Sequence, residues 1–151
     1  MSLALTLHLL GAVVWVGGMF FAYVCLRPVA AADLQPPARL RLWSGVFGRF
    51  FPWVWAAVGL LLATGYWMLF AVFGGFAGAG VHIHLMQGLG LLMMLLYGHL
   101  FFAPFRRLKA AVAAENWPAG GAALGQIRRI VAINLSLGLI VVAIGSGGRY
   151  L

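Results

Sequence analysis

Residues 50–105 read FFPWVWAAVGLLLATGYWMLFAVFGGFAGAGVHIHLMQGLGLLMMLLYGHLFFAPF, 56 positions without an Asp, Glu, Lys or Arg. A membrane-crossing helix needs roughly 20 mostly apolar residues. The run is long enough for two crossings, and Gly74-Gly75-Phe76-Ala77-Gly78-Ala79-Gly80-Val81 supplies a neutral hairpin between them. Outward from it, Leu3–Leu26 adds 24 uncharged residues and Ile130–Gly148 adds 19. The sequence therefore predicts four spans, at about 3–26, 52–73, 82–103 and 130–148, with basic loops 27–51 and 104–129. Short connections favour antiparallel neighbours, so the expected fold is all-α: one integral membrane domain over 1–151, an up-down four-helix bundle. A transmembrane barrel would read as alternating strands instead.

The composition excludes other classes. Of the 151 residues, 64% are hydrophobic and 8% are charged, whereas a soluble domain is about a quarter charged. A soluble enzyme, a disordered chain and a nucleic-acid module are all ruled out. The net charge of +8 is explained by its placement. Arg27, Arg39, Arg41, Arg49, Arg106, Arg107, Lys109, Arg128 and Arg129 all fall in the two loops on one side, leaving Arg149 on the other. Loops rich in Lys and Arg stay cytoplasmic, which places both termini in the periplasm and the chain in a bacterial inner membrane. Nucleic acid is not an expected partner; the lipid bilayer is. The lone Cys25 offers neither a disulfide nor a paired metal site. The first apolar run exceeds a signal core of 7–15 residues and has no positive charge before it, so it is expected to be retained.

Within Ala38–Phe51, Leu40, Trp43, Phe47 and Phe50 recur at helical spacing, which predicts a short interfacial helix begun by Pro36-Pro37. Phe105–Asn116 is expected to extend the third span as a basic helix ended by Trp117-Pro118 and Gly120-Gly121. Small residues let helices approach in lipid. The expected contacts are His8, Gly11, Trp15, Gly18 and Ala22 on the first span, Gly59 and Ala63 on the second, Gly88 and Gly90 on the third, and Asn134, Gly138 and Gly145 on the fourth.

No charged residue lies inside a span, which removes the usual proton relays, paired-carboxylate hydrolysis and HEXXH zinc chemistry. What remains is His8, His82, His84 and His99. His8 lies about 8 Å into the outer leaflet at 1.5 Å per residue, and His82 and His84 sit at the outer mouth of the third span. His99 is roughly 22 Å deeper than His84, level with Asn134, its expected neighbour. His82, His84 and Met86 read H-x-H-x-M. On a helix His82 and Met86 share a face and His84 opposes them; on an extended segment His82 and His84 share one. Imidazole and thioether suit copper, so His8, His82, His84 and Met86 are the candidate metal ligands. Tyr66, Trp67 and Met68 end at the same level and could wall the site. Paired histidines on facing helices can instead hold haem b. His8 and His84 would be its axial ligands, with His99 at a deeper level, Gly11 and Gly88 making room, and Arg149 meeting the propionates.

The element His8-Leu9-Leu10-Gly11-Ala12-Val13-Val14-Trp15-Val16-Gly17-Gly18-Met19 resembles the first helix of the copper-resistance protein D (CopD-like) family. The Arg27-Pro28 exit, the histidine-opened third span and the segment from Gly145 to Arg149 fit it too. The resemblance implies an inner-membrane protein that handles copper beside a periplasmic copper carrier. His8 and Trp15, His82, and Tyr97 with His99 also resemble elements of the HemJ-type protoporphyrinogen oxidases, which implies haem b and oxidase chemistry. There His84 replaces a lysine and Gly98 separates Tyr97 from His99, so the copper family is preferred. A third possibility is a structural subunit of a larger membrane complex or homo-oligomer, its glycine faces serving assembly.

Overall fold

The computed structural model describes residues 2–148, and these residues are helical almost throughout, with no strand among them. Arg149, the expected propionate partner, lies outside them. Helix α1 is Ser2–Phe20, continued by a π-helical segment, Phe21–Leu26, and by α2, Arg27–Asp33. Then come α3, Pro36–Ala71; α4, Val81–Phe102; α5, Pro104–Ala113; and α6, Trp117–Gly147. Four helical units, Ser2–Asp33, Pro36–Ala71, Val81–Ala113 and Trp117–Gly147, are long and apolar enough to cross a membrane. The chain is a multi-pass membrane protein.

Proline places the joints. Pro36, Pro37, Pro104 and Pro118 stand in first turns, where the missing N–H costs nothing, and Pro28 follows directly on the π-helical segment within the continuous unit Ser2–Asp33. Pro36-Pro37 thus begins a helix, as expected. Trp117-Pro118 also begins one, correcting the expectation that it ends one, and Gly120-Gly121 lies inside α6. The Asn116 side chain accepts from Ala119 N at 3.2 Å and caps α6. Between α3 and α4, Gly74 and Gly75 hold φ of +70° and +98°, values that side chains rarely tolerate.

The 36 residues of α3 would extend about 54 Å at 1.5 Å per residue, well beyond a hydrocarbon core of about 30 Å. Its first half is therefore not a separate interfacial helix. Leu40, Trp43, Phe47 and Phe51 are all buried. Phe47 meets Phe105 edge-on at 6.3 Å, and Phe51 meets it at 4.7 Å. A Cβ on Gly120 would lie 3.0 Å from Leu40 Cδ1. The apolar face is real, but it is covered by α5 and α6 and not by lipid. The arginines project outward: Arg41 bonds Glu115 at 3.0 Å with both side chains exposed, a pair that adds little stability.

Helix α1 packs chiefly on α3, and α4 on α6, with α6 also reaching α1 and α3. The expected face of α1 is confirmed. Gly11 is covered by Leu61, Gly18 by the Phe50 ring, and Trp15 and Ala22 are buried. On α6, Gly138 sits where an added Cβ would lie 2.9 Å from Val16 Cγ2 and 3.2 Å from Met93 Cε. The expected contacts at Gly59, Gly88 and Gly90 are not made: a Cβ there would meet nothing within 4 Å. Ala63 is exposed as well.

Pro52 stands in the interior of α3. It cannot donate to the carbonyl four residues earlier, which weakens α3 locally. Beside it, the buried Tyr97 hydroxyl donates to Phe51 O at 3.0 Å and ties α4 to α3. Tyr97→Phe is expected to lower stability by about 1 kcal/mol, the net worth of one such bond. Reversible unfolding in detergent micelles measures this; an unchanged midpoint would mean the bond adds nothing.

Candidate functional site

The N-terminal end of α1, the C-terminal end of α3, the N-terminal end of α4 and the C-terminal end of α6 meet at one end of the bundle. Three contacts establish this. The His8 ring lies on Thr64 and Gly65 of α3; Gln87 Nε2 donates to Tyr66 Oη at 3.1 Å, joining α4 to α3; and His82 and Met86 rest on α6. His8, His82, His84 and Met86 therefore share an end of the molecule.

His8 is held by Thr64 of α3. Thr64 Oγ1 donates its only proton to Leu60 O at 2.6 Å. His8 Nδ1 lies 2.8 Å from the same oxygen, and the ring donates there when the hydroxyl proton goes to Leu60 O. A neutral imidazole with its proton on Nδ1 keeps the lone pair on Nε2, the state a metal ligand needs. Metal-binding histidines are commonly oriented in this way, through a hydrogen bond from the other ring nitrogen. Thr64 was not singled out by the sequence reading. The available signal was a lone threonine in an otherwise apolar run.

Helix α4 is helical from Val81 onward, which resolves the H-x-H-x-M motif. His82 and Met86 share the face toward α6. A Cβ on Gly148 would lie 2.7 Å from His82 Cβ, and one on Gly145 would lie 3.0 Å from Met86 Cε. The His82 Cβ and the Met86 tip occupy that space, and the His82 ring reaches back over Gly80. His84 points elsewhere, is exposed, and stacks on Phe76 with ring centroids 6.3 Å apart. The two histidines of the motif are splayed, and the histidine–methionine pair is the one that shares a face. No group of three or more His, Cys, Asp or Glu side chains assembles among the described residues.

The expected neighbourhood of His99 is corrected. Asn134 Nδ2 donates to Met93 O at 3.1 Å, about two helical turns from His99, and His99 is exposed on α4. Asn134 lies deeper than expected because α6 starts at Trp117, so Asn134 is well inside the helix and not near its entry.

Among the described residues, those assigned to haem have close protein neighbours. The space beside Gly11 is filled by Leu61, the His8 ring is held against α3, and the His84 ring lies outside on Phe76. Two hollows of the molecule, one of about 230 Å³ in the bundle core and one of about 520 Å³ between α5 and α6, are lined by no histidine.

Comparison with known proteins adds one finding. Residues 44–147 match the family model described as copper resistance protein D. No curated protein and no solved structure gives a comparable match.

Proposed function

Because the chain belongs to the copper resistance protein D family, we propose that it binds copper at the bundle end that carries His8, His82, His84 and Met86 and passes it into the membrane. The observation that carries this reading is the His8 ring, held by Thr64 through Nδ1 so that Nε2 is left for a ligand, at the same end as His82 and Met86 on one face of α4. Imidazole nitrogen with thioether sulfur is a donor set that favours Cu(I) over hard cations. Both side chains are neutral, so binding a monovalent ion places a single charge at the site. His84, exposed at the mouth, is the first ligand an arriving ion would meet. Cys25, exposed on the π-helical segment, and the exposed His99 are the candidate ligands further along.

The basic residues of α3, α5 and α6 support one orientation. Lys and Arg near span ends are retained in the cytoplasm, so the histidine end is periplasmic in an inner membrane. A periplasmic copper carrier would deliver the ion there. A phosphatase fused after Leu151 should be active, and an inactive one beside an active cytoplasmic reporter would reverse the orientation.

Copper binding is tested by competition with a chromophoric Cu(I) chelator on the detergent-solubilised chain. His8→Ala, His82→Ala and Met86→Leu should each weaken binding by about 10-fold or more, given that even supporting groups around a metal typically change affinity by 10–100-fold. His99→Gln, far from this end, should leave the affinity of the His8–His82–Met86 site unchanged. Undiminished binding in the triple variant would sink the proposal, as would a loss confined to His99→Gln.

A further inference from the structure

The hollow of about 520 Å³ lies along the α5–α6 hairpin, on the side where Ala110, Ala114, Ala119 and Ala122 are exposed. Ala111 and Ala123 form its buried floor. Alanine stands no higher than a methyl group, so a third helix can seat between the two at close range. Counted from the histidine end, the four spans reach their first charged residues at Arg27, Arg49, Arg106 and Arg129. Charge is costly in hydrocarbon, so the hydrocarbon core ends before that level. The hollow runs from Arg107 to the far turn of the hairpin, and it therefore faces water and not acyl chains.

The polar side chains of the hollow offer donors. Gln126 Oε1 accepts from Arg107 Nη1 at 3.1 Å, and Asn116 Oδ1 accepts from Ala119 N at 3.2 Å. A guanidinium and a backbone N–H only donate, so neither amide can be flipped, and both NH2 groups are left over. With the remaining N–H groups of Arg107 they give the hollow a positive charge, and no carboxylate among the described residues lines it. Arg106, Lys109, Arg128 and Arg129 are exposed on the same two helices. Glu115, at the turn, is already on Arg41 at 3.0 Å.

We propose that this hollow docks an acidic amphipathic helix of a water-soluble partner protein, its small-residue seam on the alanine floor and its carboxylates on Arg107 and the amide NH2 groups of Gln126 and Asn116. Hydrogen bonds from a guanidinium to a carboxylate are charge-assisted and are the strong ones. The surrounding basic residues speed and orient the encounter and repel a basic partner. A second copy of this chain would bring its own basic hairpin against the first and is disfavoured for the same reason. The surface is independent of copper binding, because none of its residues belongs to the histidine end.

The test uses the full chain in uncharged detergent micelles, titrated with a fluorescent, end-blocked peptide of Glu-Ala-Ala-Ala repeats about 16 residues long, roughly 24 Å of helix. The same peptide with Lys for Glu is the control. The expected result is one acidic peptide per chain, held about tenfold or more above the basic one. Ala122→Trp fills the hollow and keeps every charge; it should weaken the acidic peptide about tenfold. Arg107→Gln should weaken it by a similar factor, the effect of a hydrogen bond to a charged group. Both positions are exposed, so the helical circular dichroism should be unchanged, and either variant alone decides the matter. An absence of saturable binding would overturn the proposal, as would equal affinity for the basic peptide. Affinity undiminished in Ala122→Trp would reduce the effect to general attraction by the basic end, which also overturns it. Displacement of the peptide by one equivalent of phosphatidylglycerol would assign the hollow to lipid instead.

Discussion

Phe47→Ala is expected to destabilise the protein by about 3–5 kcal/mol, the usual cost of emptying a buried aromatic site. Phe47 is 5% exposed, stacks on Phe51 with centroids 5.0 Å apart and parallel rings, lies 5.0 Å from Trp43, and meets Phe105 edge-on. These rings join the first half of α3 to α5 at the basic end of the bundle. Little near them could collapse to fill the void, because Leu108 and Ile127 behind them are already fully buried. Arg49→Ala, on the exposed face of the same helix, is expected to stay within about 0.5 kcal/mol. Titration with SDS from mild micelles measures both. A helix lying on the membrane surface would give the opposite pattern: alanine at Phe47 would weaken lipid attachment and leave unfolding unchanged. A small effect at Phe47 would therefore return α3 to that arrangement.

The same helix shows how far the sequence could be read. The period of Leu40, Trp43 and Phe47 correctly announces one apolar face, because helical spacing is a local property. Periodicity does not say whether lipid or protein covers that face. The charge clusters favoured lipid because Arg39, Arg41 and Arg49 suit headgroups, yet their outward position is equally compatible with a helix packed in a bundle. The glycines divide on the same principle. Gly11, Gly18 and Gly138 mark close approaches, while Gly59, Gly88 and Gly90 face outward with nothing near them. In lipid an outward glycine carries no solvation penalty that would distinguish it.

At the histidine end, the shared position of His8, His82 and Met86 was legible from depth alone, since four antiparallel helices of known rise leave few options. The splay of His82 and His84 depended on whether Val81 is already helical, which sequence left open. Asn134 was recognised as a polar residue in an apolar span but matched to His99, because depth was counted from Ile130 and the helix begins at Trp117. The hydrogen bond from His8 to Thr64 spans 56 residues of sequence and two helices. Only the packing of α1 on α3 brings that pair together.

Thr64→Val should weaken Cu(I) binding by about 10–100-fold, the range found when a group that orients a metal-bound histidine is removed. Valine keeps the shape of threonine and deletes the oxygen, so the change leaves the α1–α3 packing in place. Two consequences follow from the geometry. His8 Nδ1 loses its partner, so nothing then favours the tautomer that leaves Nε2 free for copper. The ring is also released to rotate about its side-chain bonds, and any site that includes it loses preorganisation. Thr64→Ser keeps the oxygen and should restore most of the affinity, which separates loss of the hydrogen bond from loss of packing. Leu60 O, already bonded within its helix, loses only a second donor. The decisive comparison is the double variant with His8→Ala. If Thr64 acts solely through His8, adding Thr64→Val to His8→Ala should cost no further affinity. Additive losses would assign Thr64 a separate role, and an unchanged affinity in Thr64→Val alone would remove the tautomer of His8 from the account of copper binding.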